Sequence, residues 1–304
     1  MKPYRLKRGD TIGIVAPAGP VDSDRLARAT PFFEAMGLHV TYGATIDEWH
    51  GYLEGTDDQR VADIHHMISD TSVRAIMFAR GGYGSARLAD KIDYELISRH
   101  PKIIWGYSDI TYMHTAIRQW TGLTTFHGPM PASDVADEAF DPLSARMFRQ
   151  LFAPETLHYT EDVSPLTVLA PGEADGALVG GNVSVLASTL GTDYDIDTNG
   201  KLLLLEDIGE APYRIDSMLN QLRLAGKLDA AAGIIVGDFA DAKPTHEPSL
   251  SLEQVLADHL SDLPCPVMAG FKIGHCFPHF SVPLGARAFL STTRKRLTIE
   301  PGVQ

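Results

Sequence analysis

Lys102-Ile103-Ile104-Trp105-Gly106-Tyr107-Ser108-Asp109-Ile110 is the stretch that decides the fold. Its first four residues read as a short apolar strand. It runs straight into a helix in which Ile110, Met113, Ile117 and Trp120 recur at helical spacing, so one face of that helix is buried. A serine between a strand end and a helix start is held by two rigid elements, and its hydroxyl projects from a tight turn. The helix start beside it offers unpaired N–H groups and positive potential to a developing oxyanion. This is the arrangement of a nucleophile elbow, with Ile110 standing where G-x-S-x-G has its second glycine. The competing role for Ser108 is a plain helix N-cap.

Working outward, the first half of the chain alternates short apolar strands with helical patterns. Strands are expected at residues 11–16, 39–42 and 75–79, and helices at 22–36, 56–69 and 85–91. Such alternation implies parallel strands joined by right-handed crossovers, with helices on both faces. Sites in such sheets form outside the carboxyl ends of the strands. Ser108 and the loop Gly81-Gly82-Tyr83-Gly84 both fall at such ends, which makes them candidate neighbours.

Periodicity weakens between Pro129 and Pro171, although 143–152 reads as one helix. The domain junction is placed here, giving an N-terminal domain of residues 1–150, a linker 151–170 and a C-terminal domain 171–304. Strands are expected in the second half at 177–182, 201–205, 234–236, 288–290 and 296–299. Helices are expected at 183–190, 213–225 (stopped by Gly226) and 252–260.

Bulk properties restrict the function. The 304 residues are 44% hydrophobic and 21% charged, an ordinary balance for a globular protein. A net charge of −13, with Arg294-Lys295-Arg296 as the one basic run, argues against nucleic acid or an anionic membrane as main partner. Two cysteines, Cys265 and Cys276, make no disulfide framework. The first residues show neither a signal peptide nor a spanning segment, so a cytoplasmic location is expected.

Four clusters can carry chemistry. Ser108 is the candidate nucleophile. Arg80-Gly81-Gly82-Tyr83-Gly84-Ser85 follows a strand and lacks the Lys-Ser/Thr of a P-loop. It suits an oxyanion hole built from backbone N–H groups, or it is a simple tight turn. Glu206 and Asp207 end a buried strand, where one carboxylate can orient a histidine. Local pattern does not choose between them. Gly274-His275-Cys276-Phe277-Pro278-His279 offers a general base. His275 and His279 have zinc-like spacing, but Pro278 opposes a helix and the Glu of H-E-x-x-H is absent. No metal and no cofactor are expected. Nucleophile, acid and base then follow the chain order Ser, Glu, His, as in α/β-hydrolases.

Taken together, these motifs resemble the LD-carboxypeptidases, or murein tetrapeptide carboxypeptidases, a family of serine peptidases. The likeness runs through Ile14-Val15-Ala16-Pro17-Ala18-Gly19, Arg80-Gly81-Gly82-Tyr83-Gly84, Gly106-Tyr107-Ser108-Asp109, His127-Gly128-Pro129-Met130 and Gly180-Gly181-Asn182. It continues through Leu205-Glu206-Asp207-Ile208, Pro212-Tyr213-Arg214-Ile215-Asp216, Gly274-His275 and Pro283-Leu284-Gly285. The resemblance implies a flavodoxin/amidotransferase-like N-terminal domain, a β-rich α/β C-terminal domain and a homodimer. It also implies a triad of Ser108, Glu206 and His275, and an oxyanion hole from the N–H groups of Gly82 and Asp109. The implied reaction removes terminal D-Ala from L-Ala-γ-D-Glu-meso-diaminopimelate-D-Ala in cell-wall recycling. An exopeptidase must recognise a free carboxylate, for which Arg80 and Arg214 are candidates. Tyr83 and Asn182 complete the candidate substrate contacts. The family also contains the microcin C self-immunity peptidases, which cleave aminoacyl-nucleotide conjugates. No long aromatic insertion in the second half points to that branch. A muropeptide-binding protein without catalysis is the non-enzymatic alternative.

Overall fold

The computed structural model describes residues 1–304, which divide into two compact units. The first comprises Met1–Glu155 with two short returns of the chain, Ser281–Pro283 and Pro301–Gln304. The second comprises Thr156–Phe280 and Leu284–Glu300. Residues 156–170, expected as a linker, supply the strands Leu157–Tyr159 and Thr167–Ala170 to the second unit's sheet.

The first unit is built on a six-stranded sheet. Its order is Val282–Leu284, Thr125–His127, Ile103–Gly106, Val73–Phe78, Thr11–Val15 and His39–Tyr42. The five strands from the first half of the chain pair in parallel. Thr11–Val15 and Val73–Phe78 are almost wholly buried, as continuous apolar runs covered on both faces should be. The strand order reverses between these two, so the loops after them flank the topological switch point where doubly wound sheets bind ligands. The loops are Pro17–Gly19 and Arg80–Gly84, and the Gly19 N–H donates to the Gly81 carbonyl at 3.3 Å.

Local signals start the helices where the sequence places them. Asp22 caps Ser23–Ala35 by accepting from the Arg25 N–H, and Thr56 with Gln59 forms a capping box on Asp57–Ser69. Two expected helices differ. Residues 85–91 form a 3-10 helix, and 143–152 divides into Pro142–Arg146 and a 3-10 turn Met147–Leu151. In the second of these, tertiary packing sets the geometry: Phe148 stacks on Trp105 at 4.4 Å, and the Gln150 side chain bonds the Ser281 carbonyl at 3.2 Å.

The second unit has an eight-stranded mixed sheet. Its centre is parallel: Glu173–Asn182, Leu202–Ile208, Gly233–Ala240 and Val267–Ala269. Antiparallel strands flank it on both sides. The helices Val183–Thr189, Pro212–Leu224 and Leu252–Leu260 bury Leu186, Ile215, Leu219, Leu222, Val255 and Leu260 against it. Glu173–Asn182 pairs antiparallel along its first half and parallel along its second, and the parallel register sets Asn182 beside Glu206. The strand register shifts between Leu205 and Asp207, so Glu206 sits at an irregularity within the strand and not in a turn leaving it.

Candidate active site

In the first unit, Ser108 has φ of +65°, in the left-handed region that a residue with a Cβ occupies only at a cost of about 1–2 kcal/mol. The chain passes from the strand Ile103–Gly106 through extended Tyr107 into a 3-10 turn, Ser108–Ile110, and then the helix Thr111–Thr121. That helix is capped by Ile110 without a side-chain bond, so Ser108 is not its N-cap. The turn is held from below by buried groups. His114 Nε2 donates to the Gly106 carbonyl at 2.8 Å, and the Tyr107 hydroxyl donates to Asp134 Oδ1 at 3.0 Å.

The glycine loop lies directly against this turn. A Cβ built on Gly81 would stand 3.0 Å from Ser108 Cβ, 3.1 Å from its Oγ and 3.4 Å from the Asp109 nitrogen. A side chain there would push Ser108 aside by a few tenths of an ångström. The structure therefore makes the two loops neighbours: Gly81 faces both Ser108 and the Asp109 nitrogen, and the next residue, Gly82, faces Gly19. Sequence reading missed what fastens them. Asp109 is buried, its Oδ2 accepts from the Ser85 N–H at 2.9 Å, and Ser85 Oγ donates back to the Asp109 carbonyl at 2.6 Å. Arg60, also buried, donates to the carbonyls of Gly84 (3.1 Å) and Pro17. The one available sequence signal was a charged residue beside Val61 and Ile64 on the apolar face of a helix.

In the second unit, His275 Nδ1 lies 2.8 Å from Glu206 Oε2, and the Glu206 side chain is completely buried. The carboxylate accepts, so Nδ1 carries the proton and Nε2 is the basic nitrogen. Gly274, at φ +120°, makes this pair possible: a Cβ there would come within 2.5 Å of Glu206 Oε2. Asp207 belongs to a different network. It accepts from the Asn182 amide (3.1 Å) and from the N–H groups of Ser184 and Ile208 (both 2.8 Å). Burial pushes its carboxyl up to about 6.

The remaining candidates are dispersed. Arg80 is exposed and donates to the Pro20 carbonyl at 3.0 Å, so it lies over the first loop of the switch point. Tyr83 is exposed and rests against Tyr52 at 5.9 Å. Asn182 caps the helix Val183–Thr189 through Val185 N–H. Arg214 is exposed and pairs with Glu210 at 3.2 Å. His279 is buried in an apolar setting that drives its ring down to about 3, with the neighbouring His275 adding to the effect. No three His, Cys, Asp or Glu side chains converge as a metal cage.

Burial of histidines has a consequence for stability. His114 is lowered to about 4 and His279 to about 3, both chiefly by desolvation, from 6.5. Each is neutral in the native state and takes up a proton on unfolding below 6.5. Stability is therefore retained above that pH and falls as pH drops from 6.5 towards 4. The expected loss between pH 7.5 and 5 is about 2 kcal/mol per histidine. Denaturant titrations at the two pH values check this, and His114→Gln should remove about half of the combined loss.

Two family models match the chain: the LD-carboxypeptidase N-terminal domain over residues 12–128 and the LD-carboxypeptidase C-terminal domain over residues 175–290. A Bacillus subtilis (strain 168) protein named "Probable murein peptide carboxypeptidase" is 53% identical over 303 residues, covering 99% of this chain and 95% of that protein. Among solved structures, an MccF-like protein from Bacillus anthracis superposes with a TM-score of 0.89 at 27% identity, covering 99% of both chains. The muramoyltetrapeptide carboxypeptidase of Oxalobacter formigenes superposes with a TM-score of 0.87 at 28% identity, covering 97% of this chain and 100% of that one. With both halves matched in order and a 53% identical relative along nearly its whole length, the chain belongs to the LD-carboxypeptidase family of serine peptidases.

Proposed function

We propose that the protein is a carboxypeptidase that removes the terminal D-Ala of murein tetrapeptides, cutting the bond after the L-centre of meso-diaminopimelate. Ser108 is the nucleophile, His275 the base and Glu206 the residue that orients it. The observation that carries this reading is Ser108 itself, held in the left-handed region with a glycine backbone against its side chain. Strain of that kind is kept where a reacting group must be aimed.

In the mechanism, His275 Nε2 takes the Ser108 proton as Oγ attacks the carbonyl carbon. The Gly82 and Asp109 N–H groups hold the tetrahedral oxyanion. As the C–N bond breaks, His275 returns the proton to the D-Ala amine. Water then attacks the acyl ester, giving its proton to His275, and the tripeptide leaves as Ser108 is re-protonated. Arg80, on the loop that carries the Gly82 donor, is the group we assign to the terminal carboxylate. Tyr83 and Asn182 line the substrate path in this reading, and Arg214 is the alternative carboxylate partner. The enzyme acts in the cytoplasm, where wall fragments return, and as a homodimer. Two free cysteines suit that compartment.

A second reading comes from the microcin C self-immunity branch that the family resemblance also names, and to whose MccF this chain is 27% identical: cleavage of an aminoacyl-nucleotide conjugate. One assay separates the two. Purified protein is expected to release D-Ala from L-Ala-γ-D-Glu-meso-diaminopimelate-D-Ala and to leave glutamyl sulfamoyl adenosine intact. The opposite pattern would establish the second reading, and cleavage of neither would leave a binding role.

A further inference from the structure

We propose that the Asp109 carboxylate and Ser85 are positioning groups for the oxyanion hole, locking the glycine loop to the nucleophile turn. This rests on the reading of Ser108 as nucleophile. The loop between Gly81 and Gly84 has three glycines in four residues, so side-chain packing does little to fix it. It is closed into a ring by contacts at both ends. At one end the Gly81 backbone abuts Ser108. At the other, Ser85 and Asp109 exchange two bonds: Ser85 N–H to Asp109 Oδ2 at 2.9 Å, and Ser85 Oγ to the Asp109 carbonyl at 2.6 Å. The Gly84 N–H also faces the carboxylate. Arg60 pins the Gly84 carbonyl at 3.1 Å, and Asp57 holds Arg60 at 2.5 Å while accepting two bonds from Arg87 at 2.9 Å.

Both proposed oxyanion donors lie within this ring. One is the N–H of Gly82 and the other is the N–H of Asp109, whose own side chain closes the ring. Their separation is therefore set by the Ser85–Asp109 exchange. Desolvation raises the Asp109 carboxyl, so a buried acid here works against its own ionisation. An apolar residue of similar size would fill the space without that penalty, but it would leave the Ser85 and Gly84 N–H groups unpaired. Oxyanion stabilisation depends on donors fixed before the charge appears, and losing one donor outright costs a factor of about 10²–10³. A loosened pair should cost less, about 10- to 100-fold.

The variants are Asp109→Asn, which sets an amide against backbone donors, and Ser85→Ala, which removes the hydroxyl bond alone. The readouts are kcat and KM on the tetrapeptide, affinity for the product tripeptide, and the rate at which a small fluorophosphonate phosphonylates Ser108 with loss of fluoride. Asp109→Asn is expected to lower kcat and the phosphonylation rate together by about 10- to 100-fold, with KM and tripeptide affinity within about twofold. A purely structural role would instead change binding and folding alongside rate. Phosphonylation at the wild-type rate in both variants would overturn the proposal. If Asp109→Asn does not fold, Ser85→Ala decides by the same readouts. Phosphonylation does not require the tetrapeptide to be the substrate. Failure to label the wild-type protein at Ser108 would overturn the nucleophile assignment, and with it this proposal.

Discussion

Ser108→Ala is expected to lower kcat by a factor of about 10³ or more while leaving the fold intact. The variant removes the attacking oxygen and keeps the Cβ. Ala and Ser meet the same left-handed strain, since that strain arises from the Cβ they share. The helix Thr111–Thr121 has no side-chain cap to lose. Thermal melting together with D-Ala release checks both halves of the expectation. Ser108→Gly should be equally inactive yet more stable, by about 1 kcal/mol, because glycine relieves the strain at φ +65°. A Gly variant more stable than Ser108→Ala would show that the left-handed backbone at this position costs the fold stability. Near-normal turnover in Ser108→Ala would sink the nucleophile assignment.

Glu206→Gln should lower kcat by about 10³- to 10⁴-fold with little change in KM. The carboxylate accepts from His275 Nδ1 at 2.8 Å inside a fully buried site. An amide of the same shape can turn its N–H₂ towards the ring, which favours the wrong tautomer and leaves Nε2 without its lone pair. It also provides no counter-charge for the imidazolium that forms during attack. Folding should survive, because the substitution removes a buried charge and keeps the volume. The measurement is kcat and KM for the variant beside Asp207→Asn. Asp207 bonds Asn182, Ser184 and Ile208 and not His275, so its variant should keep most of its activity. A larger loss from Asp207→Asn than from Glu206→Gln would reverse the assignment of the acid.

The strand–helix alternation of the first half was legible because buried parallel strands and amphipathic helices write their periods into contiguous residues. Helix starts such as Asp22 and Thr56 were legible for the same reason, since a cap bonds to an N–H only a few residues away. The helix expected over 143–152 shows the limit. Its second half becomes a 3-10 turn carrying Phe148, which stacks on Trp105 some forty residues earlier in the chain.

The site divides along the same line. From its sequence this protein is determined to be an α/β chain with a serine at a strand-to-helix turn, a glycine loop at another strand end, and acids and histidines later in the chain. Each of these is a local pattern. Local pattern left Glu206 and Asp207 open, and the family resemblance implied Glu206 with His275; the tertiary structure sets that pair in contact across 69 residues and gives Asp207 to Asn182. Neighbouring residues on a strand point to opposite faces, and a register shift between Leu205 and Asp207 alters which face each one takes. Only the tertiary structure closed Ser85 onto Asp109 and set Gly81 against Ser108. Such contacts depend on the register and crossing of strands distant in sequence, and no periodicity within one segment encodes them.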